Sequence, residues 1–307
     1  MKTALVLNRA GGSLARLNPD RIARDVVDRL GAAGHDVDGF VVSADEVEGR
    51  LASCAASGAY DAVIVGGGDG TVSAAAAALA DTGVALGVLP LGTLNLFARS
   101  LGMPTDLDKA LDSLASSIAR DVDLGEVNGI SFVNHVSLGL HPRVIRLRER
   151  SGYSSRAGKL VADVKAWLRA VRRPRPLDIS ARTAGRSMHR RVSLAVVANN
   201  SFGEGLGHLP HSDHPSAGRL ALYLSGALTR GDLLRMSGAA LLGQWQANPR
   251  LEMVTADEIE VRVRSRRVIA SVDGELVRLD QPMRFRSRRG VLKVMAPTGQ
   301  ADDTASA

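Results

Sequence analysis

Short apolar runs alternate with amphipathic stretches through the first third of the chain. Ala4 to Leu7 is a continuous apolar run and reads as a buried strand. Asn18-Pro19 then opens a helix, with Ile22, Val26, Val27 and Leu30 recurring on one face. Phe40 to Val42 predicts a second strand, and Ser43-Ala44-Asp45-Glu46 reads as a capping box that starts a second helix. Asp61 to Val65 and Val84 to Leu89 are further apolar strands, separated by an alanine-rich helix from Ser73 to Ala80. Leu107, Leu111 and Leu114 mark a last helix that ends near Ile118. Continuous apolar strands alternating with helices predict a doubly wound parallel sheet covered on both faces.

The pattern changes at Val122. Asn128-Gly129 between apolar stretches is a hairpin signal. Strand-like segments then dominate: Phe132 to Val136, Val192 to Ala198, Leu220 to Leu224, Ile259 to Val263, Ile269 to Val272, Met283 to Arg286 and Val291 to Met295. Ile259-Glu260-Val261-Arg262-Val263-Arg264 alternates strictly, as a half-exposed antiparallel strand does. Helical stretches interrupt at Gly158 to Val171 and Gly231 to Gln246. The expectation is an α/β domain over 1–121, a β-rich, antiparallel β-sandwich-like domain over 122–297, and a polar, disordered tail over 298–307.

Composition narrows this picture. Hydrophobic residues are 45% of the 307, but aromatics only 3%, so the core must be aliphatic. Scarce aromatics also argue against a nucleic-acid role, which depends on base stacking. The single Cys54 excludes an internal disulfide and fits a cytoplasmic setting. The N-terminal apolar run is too short for a signal peptide, and no run reaches the roughly 18 apolar residues of a spanning helix. The net charge of +7 is uneven. From Arg143 to Arg191 fifteen Lys/Arg face three Asp/Glu, a local excess of +12. Such a stretch suits an anionic membrane surface, or is simply a solvated face.

Candidate chemistry lies in two turns. The strand Asp61 to Val65 ends in Gly66-Gly67-Gly68-Asp69-Gly70-Thr71 and the strand Val84 to Leu89 in Pro90-Leu91-Gly92-Thr93-Leu94-Asn95. Glycine lets a phosphate approach backbone N–H groups, and a helix N-terminus there favours negative charge. No G-x-x-x-x-G-K-[ST] occurs, and Thr71 stands where a dinucleotide fingerprint needs its third glycine. A tight turn without a ligand is the bland alternative. Asp69 sits in a loop suited to anions, where a carboxylate makes sense facing Mg²⁺ or an acceptor hydroxyl. Val272-Asp273-Gly274-Glu275 is a second acidic turn, although Asp-Gly is also a common hairpin signal.

In order, these motifs resemble the diacylglycerol kinase catalytic-domain family of soluble bacterial lipid kinases, related to sphingosine and NAD kinases. Leu5-Val6-Leu7-Asn8 with Gly11-Gly12 resembles the family's opening strand and nucleotide loop. Gly67 to Thr71 resembles its phosphate loop, and Pro90, Gly92, Thr93 and Asn95 its second turn. Phe132-Val133-Asn134 with Ser137-Leu138-Gly139 resembles the entry to its β domain. Ala198-Asn199-Asn200 with Gly203 and Gly205 resembles a later glycine-bearing segment, and Asp273-Gly274-Glu275 the late acidic turn.

The resemblance implies ATP-dependent, Mg²⁺-assisted phosphorylation of a lipid hydroxyl in the cleft between the domains. It implies nucleotide contacts from Asn8, Gly11, Gly12, Ser43, Gly67, Gly68, Asp69, Gly70, Thr71, Gly92, Thr93 and Asn95. It makes Glu275 the proton acceptor with Asp273 beside it, and Asp69 a partner of the nucleotide's magnesium. Ser43, Thr93 and Asn8 also have plain roles as caps or strand ends. Two features depart from the family. Arg9 replaces a proline, and Ala217 and Ala221 stand where an auxiliary metal loop would carry carboxylates. His208, His211, Asp213 and His214 lie just upstream, as a different metal cluster or a polar loop. An NAD kinase-like metabolite kinase and a non-catalytic lipid- or nucleotide-binding protein are the competing readings. The stretch Gly158 to Val171 adds an expectation of peripheral docking: Leu160, Val161, Val164, Trp167, Leu168 and Val171 recur at helical spacing beside Lys159, Lys165, Arg169, Arg172 and Arg173.

Overall fold

The computed structural model describes residues 1–11, 18–150, 165–170, 172, 175–203, 211–229, 231–232, 251–265 and 267–298. The N-terminal part alternates β1 (Lys2–Asn8), α1 (Pro19–Ala32), β2 (Asp36–Val42), α2 (Val47–Ala56), β3 (Ala62–Gly66), α3 (Asp69–Leu79), β4 (Ala85–Leu89), α4 (Leu96–Ser100) and α5 (Leu107–Ala115). The order β2-β1-β3-β4 is parallel throughout, as strands apolar on both faces require. Ala4 to Leu7 and Ala62 to Val65 are fully buried. The Asn18 side chain accepts from the backbone N–H groups of Asp20 and Arg21, with Pro19 at the first helical position, so α1 starts as expected.

Helix boundaries differ from the expectation at the starts of α2 and α3, whose N-caps are Glu46 and Gly68, and at the end of α5. The last N-terminal helix stops at Ala115, and Ile118 begins a strand. The hydroxyls of Ser116 and Ser117 donate to the carbonyls of Asp112 and Leu114 and end the helix there.

The second part contains β5 (Ile118–Val127), β6 (Ile130–Phe132), β7 (His135–Gly139), α6 (Leu140–Glu149), β8 (Leu177–Thr183), β9 (Arg186–Asn199), β10 (Leu220–Gly226), β11 (Leu251–Ala256), β12 (Glu258–Val263), β13 (Arg267–Val272), β14 (Glu275–Asp280) and β15 (Met283–Ala296). Apart from the parallel β15–β4 pair its ladders are antiparallel. Asn128-Gly129 and Asp273-Gly274 both have positive φ at two consecutive positions, the geometry of tight hairpin turns. The stretch expected as one strand, Phe132 to Val136, is broken at Val133-Asn134. The two strands expected over Met283 to Met295 are one, with a register shift between Arg288 and Leu292 where Gly290 takes φ 60°.

Two hydrophobic cores result. The first lies on the parallel sheet and the second inside the β region. β5 and β15 run through both. Val122, Leu124, Leu292 and Val294 belong to the first core, whereas Val127, Met283 and Phe285 belong to the second. β15 also pairs with β4 at Val294, so the parallel sheet continues into the antiparallel region through one strand.

Candidate active site

The glycine turn forms at the C-terminal edge of β3. α3 begins at Asp69, earlier than the alanine run suggested, so most of the turn is already the helix's first turn. Gly68 is its N-cap, with no side chain capping the end. A methyl group on Gly68 would meet nothing within 4 Å. The helix end therefore has no side-chain cap and open space beside Gly68, which suits an anion. Gly67 needs its hydrogen for packing instead: a Cβ there would lie 2.5 Å from the Thr71 hydroxyl oxygen.

Neighbouring loops close around this turn. Asn8 donates from Nδ2 to Thr71 Oγ1 (3.0 Å) and accepts from the Ala10 N–H (3.0 Å), fixing the loop after β1. Gly11 lies so close that a Cβ would stand 2.9 Å from Gly67 Cα. Asn95, in the left-handed region at φ 52°, accepts from the Gly92 N–H and donates to the Pro90 carbonyl. That bracing presses Gly92 toward the Gly67 carbonyl. Asp69 Oδ1 accepts from the Leu96 N–H at 2.8 Å and so ties α3 to α4. Thr93 is exposed in the second turn. Ser43 donates from both its N–H and its hydroxyl to Glu46, so its observed role is to shape the entry to α2. Gly12 lies outside the described residues, as do Gly205 and His208.

The acidic hairpin between β13 and β14 approaches from the other side. A Cβ on Gly70 would lie 3.2 Å from Glu275 Oε1, so the exposed Glu275 carboxylate stands directly over the first turn of α3. Asp273 is buried and fully engaged. Its Oδ2 accepts from the Ser73 hydroxyl (2.6 Å) and the Val133 N–H (2.8 Å), and its Oδ1 from the N–H groups of Asn134 and His135 (both 2.9 Å). The break in the strand at Val133-Asn134 is what turns those donors toward it. Burial pushes the Asp273 carboxyl above the ordinary range, against the pull of these bonds. Burial, with a further push from the charge of Asp273, also raises Asp69, while the backbone of Leu96 and Asn95 opposes it.

A buried Asp69 raised further by the charge of Asp273, beside a helix end suited to an anion, fits a divalent cation that arrives with nucleotide phosphates, and Asp69 is the carboxylate that could hold it. The region of the family's auxiliary metal loop does not fit a cation. Ala217 and Ala221 offer no carboxylate, and Asp123 there accepts from the N–H groups of Gly218 (2.6 Å) and Gly290 (3.0 Å) and from Asn200 Nδ2 (3.3 Å). A shell of N–H donors repels a metal ion. His211 Nε2 lies 3.8 Å from Asp213 Oδ1, and the described residues contain no group of three or more His, Cys, Asp or Glu able to hold a metal.

Sequence reasoning missed three side chains beside the acidic hairpin. Ser73 lies four residues after Asp69, on the same helical face, a spacing that could have signalled it. Beneath the acidic hairpin lie His135 and His141, ring centroids 5.9 Å apart, with His141 Nδ1 2.7 Å from the Ser137 hydroxyl. Burial pulls both down to about 4; for His141 the proximity of His135 and Arg148 adds to it. Their signal in the sequence was slight, two histidines six residues apart around a glycine.

A parallel sheet with an open glycine turn, set against an acidic hairpin from an antiparallel β region, defines an α/β-plus-β protein with a phosphate-type turn. The family model described as Diacylglycerol kinase catalytic domain matches residues 2–127, and that of the YegS C-terminal NAD kinase beta sandwich-like domain matches residues 134–296. A diacylglycerol kinase of Mycobacterium tuberculosis is 33% identical over 235 residues, 74% of this chain and 71% of that protein. A diacylglycerol kinase of Bacillus subtilis is 28% identical over 258 residues, 81% of this chain and 82% of that protein. The crystal structure of a diacylglycerol kinase from Bacillus anthracis shares the fold, with a TM-score of 0.74 and 21% identity over 97% of each chain. The chain belongs to the diacylglycerol kinase catalytic-domain family of lipid kinases.

Proposed function

We propose that the protein transfers the γ-phosphate of ATP to a hydroxyl of diacylglycerol or a related lipid alcohol. The observation that carries the reading is the Glu275 carboxylate standing over Gly70 at the uncapped N-terminus of α3. The N–H groups around Gly68 hold the nucleotide phosphates. Asn8, Gly11, Gly92 and Asn95 shape the pocket beside them. The acceptor oxygen attacks the γ-phosphorus, the bond from that phosphorus to the β,γ-bridging oxygen breaks, and ADP leaves. The hydroxyl proton passes to Glu275; in a loose transition state this transfer comes late, so a strong base is not required. Magnesium bound with the nucleotide would supply charge neutralisation, with Asp69 as its protein partner. Asp273 positions the hairpin that carries Glu275.

The substrate is a membrane lipid, so the enzyme works at a bilayer surface from the cytoplasm. No helix among the described residues is long and apolar enough to cross a bilayer. The test is labelled ATP with mixed micelles of diacylglycerol, monoacylglycerol and sphingoid bases, and with NAD. Label in a lipid is expected. Label in NAD alone would overturn the proposal in favour of a soluble metabolite kinase.

A further inference from the structure

The ladder between β5 and β15 contains a buried charge that the proposed chemistry does not use. Asp123, between Val122 and Leu124 of the first core, is 2% exposed. Besides the three donors its carboxylate accepts from, its backbone N–H donates to the Pro215 carbonyl (2.9 Å) and its carbonyl accepts from Asn199 Nδ2 (2.8 Å). Asp123 thereby fastens the loop before β10, the end of β9 and the bulge of β15 to one point of β5. The oxygens of that loop are in use as well. The Arg219 carbonyl accepts from the Asn200 N–H (2.9 Å), and the Gly218 carbonyl from Arg289 Nε (3.0 Å). Gly218 takes φ 69°, and a Cβ there would stand 2.8 Å from Arg289 Nε, so the guanidinium lies directly on the loop. Its Nη2 donates to Asp257 Oδ2 at 2.8 Å. The bulge of β15 therefore does two things with consecutive residues. Arg289 brings a cation to the loop, and Gly290 brings an N–H to Asp123.

A divalent cation holding this loop would need oxygen ligands turned toward it. Here the buried carboxylate faces N–H groups, the Gly218 carbonyl faces a guanidinium, and Ala217 and Ala221 add no oxygen of their own. We propose that Arg289 is a built-in substitute for a structural cation. Its guanidinium, together with the donors around Asp123, holds the loop before β10 against the β5–β15 ladder, so that the join between the two cores forms without a divalent metal. A guanidinium suits this task because it is always charged and carries several donors in a fixed fork, so it bridges a carbonyl and a carboxylate at once.

The experiment is the thermal midpoint of the full chain without nucleotide, in EDTA and in excess Mg²⁺ or Ca²⁺. It is run on the Asp69→Asn variant, so that the carboxylate of the glycine turn does not contribute. The midpoint is expected to be the same in all three solutions. A midpoint raised by either cation would overturn the proposal. In EDTA, Arg289→Gln is expected to lower the midpoint of the otherwise unaltered protein by about 2–4 °C. Arg289→Lys keeps the charge without the fork and should recover only part of that loss. Asp257→Asn removes the ion pair alone and leaves the bond to Gly218, so it should cost about 1 °C or less. Equal losses in Arg289→Gln and Asp257→Asn would reduce Arg289 to a surface ion pair and overturn its role in the loop. Because the readout is folding, the result stands whether or not the protein phosphorylates a lipid.

Discussion

Two turns meet at this site, and they are built in opposite ways. The glycine turn from Gly66 to Thr71 leaves its helix end uncapped and the space over Gly68 empty. The acidic turn from Val272 to Glu275 is closed on itself, since Asp273 spends its carboxylate on four donors from α3 and the β6–β7 connection. One turn keeps its polar groups available for a ligand. The other uses them to join the two parts of the chain, and through that join holds Glu275 over the first turn. A buried carboxylate satisfied by four hydrogen bonds contributes position; a half-free one contributes chemistry.

The largest effect should separate those two roles. Glu275→Ala is expected to lower kcat by about 10²-fold or more with an unchanged denaturation midpoint, because Glu275 is exposed. Asp69→Ala should lose as much activity and also stability, about 1 kcal/mol, because it leaves the Leu96 N–H without its partner. Measured turnover and urea midpoints for the pair decide this. Near-normal turnover in Glu275→Ala would remove it from the chemistry.

Asp273→Asn tests the closed turn. The amide keeps the size but offers one acceptor oxygen where two are used, and sets an NH₂ against N–H donors. A loss of about 2 kcal/mol in unfolding free energy is expected. If stability is unchanged while turnover falls, Asp273 acts in the chemistry and the contrast between the turns collapses.

Much of this was legible beforehand for a physical reason. Strands buried on both faces, such as Ala62 to Val65, are written as unbroken apolar runs. Asn128-Gly129 and Asp273-Gly274 carry the only chemistry that tight hairpins favour at low cost, so both hairpins were readable. β8 and β11 were not, since Leu177–Thr183 and Leu251–Ala256 expose alternate residues and carry polar or charged side chains along their length. β15 was read as two strands because Arg288-Arg289-Gly290 interrupts the apolar pattern; the interruption is a bulge, with the Gly290 N–H taken by Asp123. The site's glycines and acids were visible as local motifs. The partners of Asp273 lie 138 to 200 residues away and leave no local pattern. The helical stretch expected to dock on membranes lies only partly within the described residues. Ala166 and Ala170 are buried, Trp167 packs against Leu228, and Leu168 and Arg169 are exposed, while Lys159, Leu160, Val161, Val164, Val171 and Arg173 lie outside the described residues.

The open turn is tested by its glycines. Gly68→Ala adds a methyl group at ordinary backbone angles, φ −84° and ψ 176°, into open space. The fold should be indifferent, while the KM for ATP should rise about tenfold as the methyl group stands where phosphate approaches. Gly67→Ala should instead lower stability, since its methyl group meets Thr71. Thermal midpoints and ATP titrations distinguish the two. Equal ATP affinity in Gly68→Ala would mean that the open space is not the phosphate site.

The smallest effect concerns acid, and it should act on the closed turn only. The His135 backbone is part of that turn, accepting from the Asp273 N–H and donating to its carboxylate. Burial holds the imidazoles of His135 and His141 neutral, with folded values near 4 against about 6.5 for a free histidine. Because the folded values are depressed, the unfolded chain binds more protons as pH falls below about 6.5. The stability is therefore fully present above that value and is lost progressively as pH falls toward 4. Between pH 7 and pH 6 each histidine should lower the folding equilibrium constant about threefold. His141→Asn should remove its own share of that slope and leave the share of His135. Urea midpoints of the two proteins between pH 7 and pH 5.5 measure the difference. An identical slope in both would show that His141 titrates freely, and the packing beneath the acidic turn would then contribute no pH dependence through it.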